Sequence, residues 1–235
     1  MSTYNEKILI IDNDVQIRKA LEPRFSRLGY DILFISDSTN AFNIFSKEQP
    51  DLIILEILLA NLDGYEICCK IRKISRVPII FLTTLGDTSS RILGFRVGAD
   101  DYVTKPFSPR ELEARIRAVI DRANKNFQPI KKRKKFYIND LIIDTNHGFI
   151  LKDNNKINLT KIECSLLELL ITNPGKELSR VNLLTKIWGY TPERIIDARL
   201  VDVHISRLRS KIESKAHTPK LILTVRGIGY MFQQY

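Results

Sequence analysis

The sequence contains no apolar run that approaches the roughly 18 residues needed to cross a membrane. Residues 1–7 also lack the basic region and apolar stretch of a secretory signal. Cysteine is scarce: Cys68, Cys69 and Cys164 form an odd set without the spacing of zinc ligands. We therefore expect a protein of a reducing compartment, without a membrane partner, a disulfide framework or a zinc site.

Positive charge is in excess, and the excess is confined to one half of the chain. The 235 residues carry a formal net charge of +10. Residues 1–122 contain equal numbers of basic and acidic side chains, so the entire excess lies in residues 123–235. Such concentration predicts a polyanionic partner for the second half. Of nucleic acid and an anionic membrane we expect nucleic acid, because a membrane-binding helix needs an exposed apolar face and the apolar stripe of the basic helix at 197–213 is used by the core.

The first half alternates short apolar runs with amphipathic stretches. This alternation predicts a doubly wound α/β domain over residues 1–122, with a parallel five-stranded sheet whose functional crevice lies at the carboxyl ends of its strands. The predicted strands are Lys7–Ile11, Tyr30–Ile35, Leu52–Leu55, Val77–Leu82 and Asp101–Val103.

Residues 123–135 are polar and end in a run of five basic side chains. This composition is typical of a basic linker, which serves as a solvated tether, as an arm that contacts phosphates, or as both.

Residues 136–235 have the pattern of an α+β winged helix-turn-helix domain. Short alternating runs predict an antiparallel sheet, and Thr160 with Glu163 predicts a capping box at the start of a helix. Two further helices and a glycine-containing hairpin follow. The predicted elements are strands at 136–143, 149–151 and 156–159, helices from 160, at 179–188 and at 197–213, and hairpin strands at 221–225 and 230–232.

The third of these helices, predicted at 197–213, is the candidate DNA-recognition helix. Val201, Ile205, Leu208 and Ile212 have the spacing of one buried stripe, which leaves arginines for the other faces. The guanidinium of arginine can donate two parallel hydrogen bonds to a phosphate or to the major-groove edge of guanine. Because a major groove about 12 Å wide admits one helix, we expect this helix to enter the groove. Two alternatives stay open: a solvated surface helix and an architectural binder without sequence preference.

The segments RLVDVHISRLRSKI (199–212), Trp188-Gly189 and TVRGIGY (224–230) closely resemble OmpR/PhoB-type response regulators, and the resemblance covers nearly the whole chain. The sequence looks like the plastid-encoded members of this family. This resemblance implies that the protein is located in the plastid stroma, and the alternative location is a bacterial cytoplasm. The resemblance implies transcription control through double-stranded DNA, and a loop at 189–196 that meets RNA polymerase. The DNA contacts it implies are Arg199, His204, Arg207, Arg209, Thr224, Arg226 and Tyr230.

The same resemblance implies a receiver pocket in the first half, where an aspartate takes a phosphoryl group with the help of Mg²⁺. The matching residues are Asp12 and Asp14 after strand one, Thr83, Tyr102 as the switch aromatic, and Lys105. Two positions depart from the pattern. Glu56 stands at the acceptor position, and Asn13 replaces a metal-binding carboxylate. We therefore expect weak Mg²⁺ binding and no resident cofactor.

Three interpretations of this pocket follow. The receiver is degenerate and permanently biased; or Glu56 is phosphorylated within an ordinary phosphorelay that includes a sensor histidine kinase; or control comes from another input or from protein amount. The second makes the receiver a phosphoryl-accepting enzyme, whereas our interpretation is of a protein that is not an enzyme. A redox role for Cys68 and Cys69 has no support in the neighbouring sequence.

The resemblance also implies a homodimer through the fourth helix, fifth strand and fifth helix of the receiver, with ion pairs that cross a two-fold axis. The three expected pairs join Arg91 with Glu111, Asp101 with Arg115, and Asp100 with Arg122, around a small apolar patch of Ile92, Phe95 and Ala114.

Overall fold

The computed structural model describes residues 6–125, 135–189 and 199–234, with the side chains of 122–125 and 199 excepted. The chain divides into two compact units, residues 1–124 and 125–235, which we call the N-terminal and C-terminal units. No helix in the described ranges is long and apolar enough to span a bilayer.

The N-terminal unit is a parallel five-stranded sheet in the order β2-β1-β3-β4-β5. Its central strands are mostly apolar and buried, as expected for a doubly wound sheet with helices on both faces. The strands are β1 (Lys7–Ile11), β2 (Asp31–Ile35), β3 (Leu52–Leu55), β4 (Ile79–Thr83) and β5 (Asp101–Thr104). The helices are α1 (Val15–Arg27), α2 (Ala41–Glu48), α3 (Gly64–Ile74), α4 (Thr88–Val97) and α5 (Pro109–Lys125).

This strand order brings polar residues together at one edge of the sheet. Asp12 follows β1, Glu56 follows β3, Thr83 ends β4 and Lys105 follows β5. Because β1, β3, β4 and β5 are consecutive neighbours and run in the same direction, their carboxyl ends form a single pocket. The predicted fold class is confirmed, and the assignment of this pocket as the functional crevice stays a prediction.

In its described residues, the C-terminal unit combines two antiparallel sheets with three helices. A four-stranded sheet contains β6 (Lys135–Ile138), β7 (Leu141–Asp144), β8 (Phe149–Lys152) and β9 (Asn155–Asn158), paired in that order. The helices are α6 (Lys161–Ile171), α7 (Arg180–Trp188) and α8 (Arg199–Ile212). The second sheet contains β10 (Leu178–Ser179), β11 (Ile222–Val225) and β12 (Gly229–Phe232), with β12 in the centre.

Two details of the C-terminal unit differ from the sequence prediction. Residues 136–143 form a hairpin of β6 and β7 rather than one strand, because Asn139 adopts a φ of +51° and reverses the chain. The short strand β10 was not predicted at all. Two residues carry no periodicity, and β10 is visible only through its pairing with β12.

Candidate receiver pocket and nucleic-acid interface

Lys105 connects the two buried carboxylates of the pocket. Its Nζ lies 2.7 Å from Oδ2 of Asp12 and 2.7 Å from Oε2 of Glu56. Asp12 and Glu56 are 1% and 4% exposed, so these ion pairs are shielded from water. The ammonium therefore serves two anions that the sheet brings to one place.

The remaining carboxylate oxygens also have partners inside the protein. Oε1 of Glu56 accepts hydrogen bonds from the backbone N–H groups of Ile57 and Leu58, at 2.7 and 3.1 Å. Oδ1 of Asp12 accepts from the N–H of Asp14 at 2.8 Å. All four oxygens are thus held by internal donors.

Burial and pairing act in opposite directions on the pKa values of this pocket. Burial raises the pKa of Asp12 above its ordinary value, although the hydrogen bond from Lys105 opposes the change. For Lys105, burial lowers the pKa, but the hydrogen bonds to Asp12 and Glu56 outweigh it, so the pKa is raised. The lysine therefore keeps its proton across the ordinary pH range.

The residues of the pocket do not fit a hard divalent cation. Asn13 and Asp14 are exposed, and Asp14 accepts from the N–H of Gln16 as the N-cap of α1. Within the part of the chain that the structure describes, no three His, Cys, Asp or Glu side chains are grouped to hold a metal. The two buried carboxylates are instead neutralised by Lys105, which a cation would have to displace.

Thr83 at the end of β4 and Tyr102 on β5 are both buried. The Thr83 hydroxyl accepts from the N–H of Leu85 at 3.3 Å, and the Tyr102 hydroxyl donates to the carbonyl of the same residue at 2.7 Å. The Tyr102 ring packs on Gly94, where an added Cβ would lie 2.9 Å from it. Burial raises the pKa of this phenol well above its ordinary value.

On the expected dimer face, most of the charged groups are paired inside one protomer. Arg115 lies 3.1 Å from Oδ2 of Asp101 and 2.8 Å from Oε1 of Glu111. The Arg91 guanidinium lies 5.9 Å from the centre of the Tyr102 ring.

Two dimer-face predictions require correction. Asp100 is 1% exposed, and its Oδ2 accepts from Arg72 Nη2 at 2.7 Å and from the N–H of Ile79, so it lies inside the protomer rather than on an open face. Phe95 is 5% exposed and packs toward Tyr102, which leaves Ile92 and Ala114 as the exposed apolar members. The side chain of Arg122 lies outside the described residues.

In the C-terminal unit, α8 has the predicted amphipathic form. Val201, Ile205, Leu208 and Ile212 are at most 2% exposed and pack into the core. Ser206 and Ser210, on another side of the helix, are exposed. The helix is therefore anchored along one side and open along another, as a groove-binding helix requires.

His204 and Tyr230, both predicted to touch DNA, are buried. His204 is 0% exposed, and its ring lies 5.1 Å from that of Trp188. The helical period explains this, because position 204 is three residues after Val201 and four before Leu208, on the buried stripe itself. In this structure neither His204 nor the 4% exposed Tyr230 is available to DNA.

Tyr230 belongs to a polar cluster that joins α7, α8 and the last sheet. Its hydroxyl donates to Oδ1 of Asp202 at 2.7 Å, and the same oxygen accepts from Arg180 Nε at 2.7 Å. The Arg180 and Arg209 guanidiniums lie 5.0 and 5.4 Å from the ring centre. Burial and the bond to Asp202 raise the pKa of Tyr230 to about 12.

Arg209 and Arg207 are mostly engaged within the domain. Arg209 donates to the Ile222 carbonyl at 2.6 and 3.0 Å and to the Thr224 hydroxyl at 2.8 Å. Arg207 Nη2 lies 3.0 Å from Oε1 of the buried Glu163, and the Arg207 side chain is 14% exposed. The sequence identified Glu163 as a helix cap but not as a partner of α8, since no local pattern connects α6 with α8.

The hairpin between β11 and β12 carries the exposed predicted contacts, Thr224 and Arg226. Gly227 lies at its tip with a φ of +75°, a conformation that favours glycine. At the base, a Cβ on Gly229 would collide with the carbonyl oxygen of Leu178, so glycine is required for the pairing with β10. The backbone of Arg199 begins α8, but its side chain lies outside the described residues, as do residues 190–198, where the RNA polymerase contact was predicted.

Two family models match the chain. Residues 8–117 match the response regulator receiver domain, and residues 154–232 match the C-terminal domain of transcriptional regulatory proteins. These ranges contain the pocket and the α8 interface respectively.

Relatives match over almost the full length. The chain is 54% identical to the probable transcriptional regulator ycf27 of Guillardia theta, over 97% of this chain and 91% of that protein. It is 49% identical to the ycf27 regulator of Porphyra purpurea, over 100% and 97% of the two chains. It is 37% identical to the alkaline phosphatase synthesis transcriptional regulatory protein PhoP of Bacillus subtilis, over 98% of each.

Solved structures agree in fold. The response regulator DrrB of Thermotoga maritima, an OmpR/PhoB homolog, is 33% identical, with a TM-score of 0.51 over 98% of this chain and 100% of that one. A mutant form of RitR is 26% identical, with a TM-score of 0.78 over the same shares.

Proposed function

Because the chain belongs to the OmpR/PhoB-type response regulators, we propose that it controls transcription by sequence-specific DNA binding, with a receiver that does not need phosphorylation. The observation that carries the second part is the Lys105 ammonium, which lies 2.7 Å from both Glu56 and Asp12. Phosphorylation requires a carboxylate that is free to react, whereas the carboxylate of Glu56 is paired with an ammonium of the same chain.

The geometry of Glu56 argues against phosphoryl transfer. One oxygen accepts from two backbone N–H groups and the other from Lys105, so an attack on phosphorus would have to weaken one of these interactions. The additional methylene of glutamate also displaces the carboxylate by about an ångström, which can cost about a hundredfold in a positioned reaction. A receiver of this kind holds one arrangement, with Tyr102 buried, without a chemical input.

Incubation of the full chain with acetyl phosphate and Mg²⁺, followed by intact mass measurement, tests this proposal. We expect no added phosphoryl group. A mass increase that disappears in Glu56→Gln would refute it and would support the alternative, a conventional phosphorelay through Glu56. The buried Thr83 at the carboxyl end of β4, beside β3, is the observation that favours that alternative.

DNA binding is assigned to the outer side of α8 and to the hairpin between β11 and β12. Arg226 and Thr224 are exposed there, beside the exposed Ser206 and Ser210 of the helix. The whole positive excess of the protein also lies in this half of the chain. Competition between genomic duplex fragments and scrambled duplexes at fixed salt tests for sequence preference, because binding without preference is governed by counterion release.

We further propose the setting in which this activity occurs. Likeness to the ycf27 regulators supports a plastid, with the stroma as the compartment. The exposed Ile92 and Ala114 support a homodimer through α4 and α5. Contact with RNA polymerase is assigned to residues 189–196, and sedimentation and polymerase pull-down experiments address these two partners.

A further inference from the structure

We propose that Glu163 is a positioning residue for DNA recognition, which orients Arg207 of α8 toward the groove from behind. The inference rests on the proposed function, since it assigns a role within the same interface. It adds a residue of α6 that does not itself contact DNA.

Glu163 lies wholly inside the C-terminal unit and faces two cations. It is 0% exposed, with Oε1 3.0 Å from Arg207 Nη2 and Oε2 2.6 Å from Lys211 Nζ. Arg207 and Lys211 are four residues apart on α8, so both project from the same side of that helix. The carboxylate therefore forms ion pairs with two side chains on the same side of α8.

Burial raises the pKa of Glu163, but the charges of Arg207 and Lys211 outweigh it and hold the pKa below the ordinary value. The carboxylate thus remains ionised, and a buried anion is stable only with such partners. The Arg207 guanidinium is held on one side by this anion, and the Arg207 side chain as a whole is 14% exposed. A guanidinium held in this way loses less conformational entropy when it binds a base or a phosphate.

Oε1 of Glu163 takes no part in capping the helix. The capping box of α6 uses Oε2, which accepts from the N–H of Thr160 at 2.8 Å. Among the described residues, Oε1 makes the ion pair with Arg207 but no hydrogen bond. Glutamine serves a capping box as well as glutamate does. Glu163→Gln therefore separates the role in capping from the role in orienting Arg207.

The test measures the ratio of affinities of the full chain for its preferred duplex and for a scrambled one. We expect Glu163→Gln to lower this ratio about tenfold, the order expected when one oriented contact to a base is lost. Glu177→Gln is the matched control, because it removes the same charge from an exposed position of the same unit and should leave the ratio unchanged.

A double-mutant cycle with Arg207→Lys distinguishes positioning from a general structural role. If Glu163 acts through Arg207, adding Glu163→Gln to Arg207→Lys lowers the ratio no further. Losses that multiply would refute the proposal, as would an unchanged ratio in Glu163→Gln with only thermal stability reduced. If Glu163→Gln does not fold, Glu163→Asp withdraws the carboxylate while it keeps the charge, and the same outcomes decide.

Failure of the underlying function gives a different result. A wild-type chain that binds both duplexes equally overturns sequence-specific binding and this inference together. A wild-type chain that discriminates, with a Glu163→Gln variant that discriminates equally, overturns this inference alone.

Discussion

The Tyr230 hydroxyl donates a hydrogen bond of 2.7 Å to Asp202, and this bond connects β12 to the candidate recognition helix α8. Tyr230 is 4% exposed, so the bond is made away from water. Hydrogen bonds to charged acceptors are stronger than neutral ones. The contact therefore matters to the geometry of the interface although Tyr230 does not itself reach the surface.

Tyr230→Phe removes this bond and leaves the ring in place. We expect it to lower the free energy of unfolding of the C-terminal unit by about 1.5 to 3 kcal/mol, the usual range for a hydrogen bond to a charged group. Urea denaturation monitored by circular dichroism measures this. Tyr137→Phe is the control, because Tyr137 is 72% exposed and its loss should cost little. Equal stability of the wild type and Tyr230→Phe would contradict the prediction.

The same tyrosine makes stability depend on alkaline pH. The pKa of Tyr230 is raised to about 12 in the folded protein from its ordinary value of 10.0. Its contribution is thus complete below pH 10, where both states are protonated, and is lost as pH rises from 10 to 12, because the unfolded chain ionises first. The wild type should lose more stability over this interval than Tyr230→Phe. Parallel pH profiles for the two proteins would exclude the effect.

Lys105→Met leaves the carboxylates of Asp12 and Glu56 facing each other without a cation. We expect a loss of about 3 kcal/mol in the N-terminal unit, since removal of one partner of a buried ion pair leaves uncompensated charge. Combining it with Glu56→Gln should recover part of that loss. Chemical denaturation is the measurement, and Lys19→Met, at an exposed site, is the control. A milder effect in Lys105→Met than in Lys19→Met would contradict the assignment.

Magnesium should distinguish the natural pocket from a restored one. We expect millimolar Mg²⁺ to leave the melting temperature of the wild type unchanged but to raise that of the double variant Asn13→Asp, Glu56→Asp, because ligand binding to the folded state stabilises it. The double variant should also gain mass with acetyl phosphate. A clear Mg²⁺-dependent stabilisation of the wild type would show that the cation displaces Lys105.

Arg226→Ala tests the hairpin between β11 and β12. Because Arg226 is exposed at the turn, we expect it to contact phosphates, and its loss should weaken binding to all duplexes and reduce the salt-dependence slope by about 1. Titrations at several salt concentrations measure the slope. An unaltered slope would remove Arg226 from the interface.

Several features could be predicted from the sequence because they depend on local periodicity. The buried strands β1 and β3, the stripe of α8 and the capping box of Thr160 all follow from residue spacing. The helical period also predicts that His204 is buried, because this residue lies on the apolar stripe of α8. The resemblance implied instead that His204 contacts DNA. The structure agrees with the helical period, since His204 is buried.

The remaining features depend on pairs that are distant in sequence. Arg72 with Asp100, and Glu163 with Arg207, meet only after the elements pack. A sequence shows that Asp100 and Arg207 are charged, but not which face they take or which partner neutralises them. Exposed contacts are consequently harder to predict than buried stripes.

The position of β12 has a consequence for the order of folding. It is the central strand of its sheet, yet it follows both of its neighbours in the chain, β10 and β11. During synthesis neither neighbour finds its partner until residues 229–232 have left the ribosome. The N-terminal unit can thus fold while the chain is still growing, whereas the sheet that carries the candidate DNA-binding hairpin forms only after β12 has emerged.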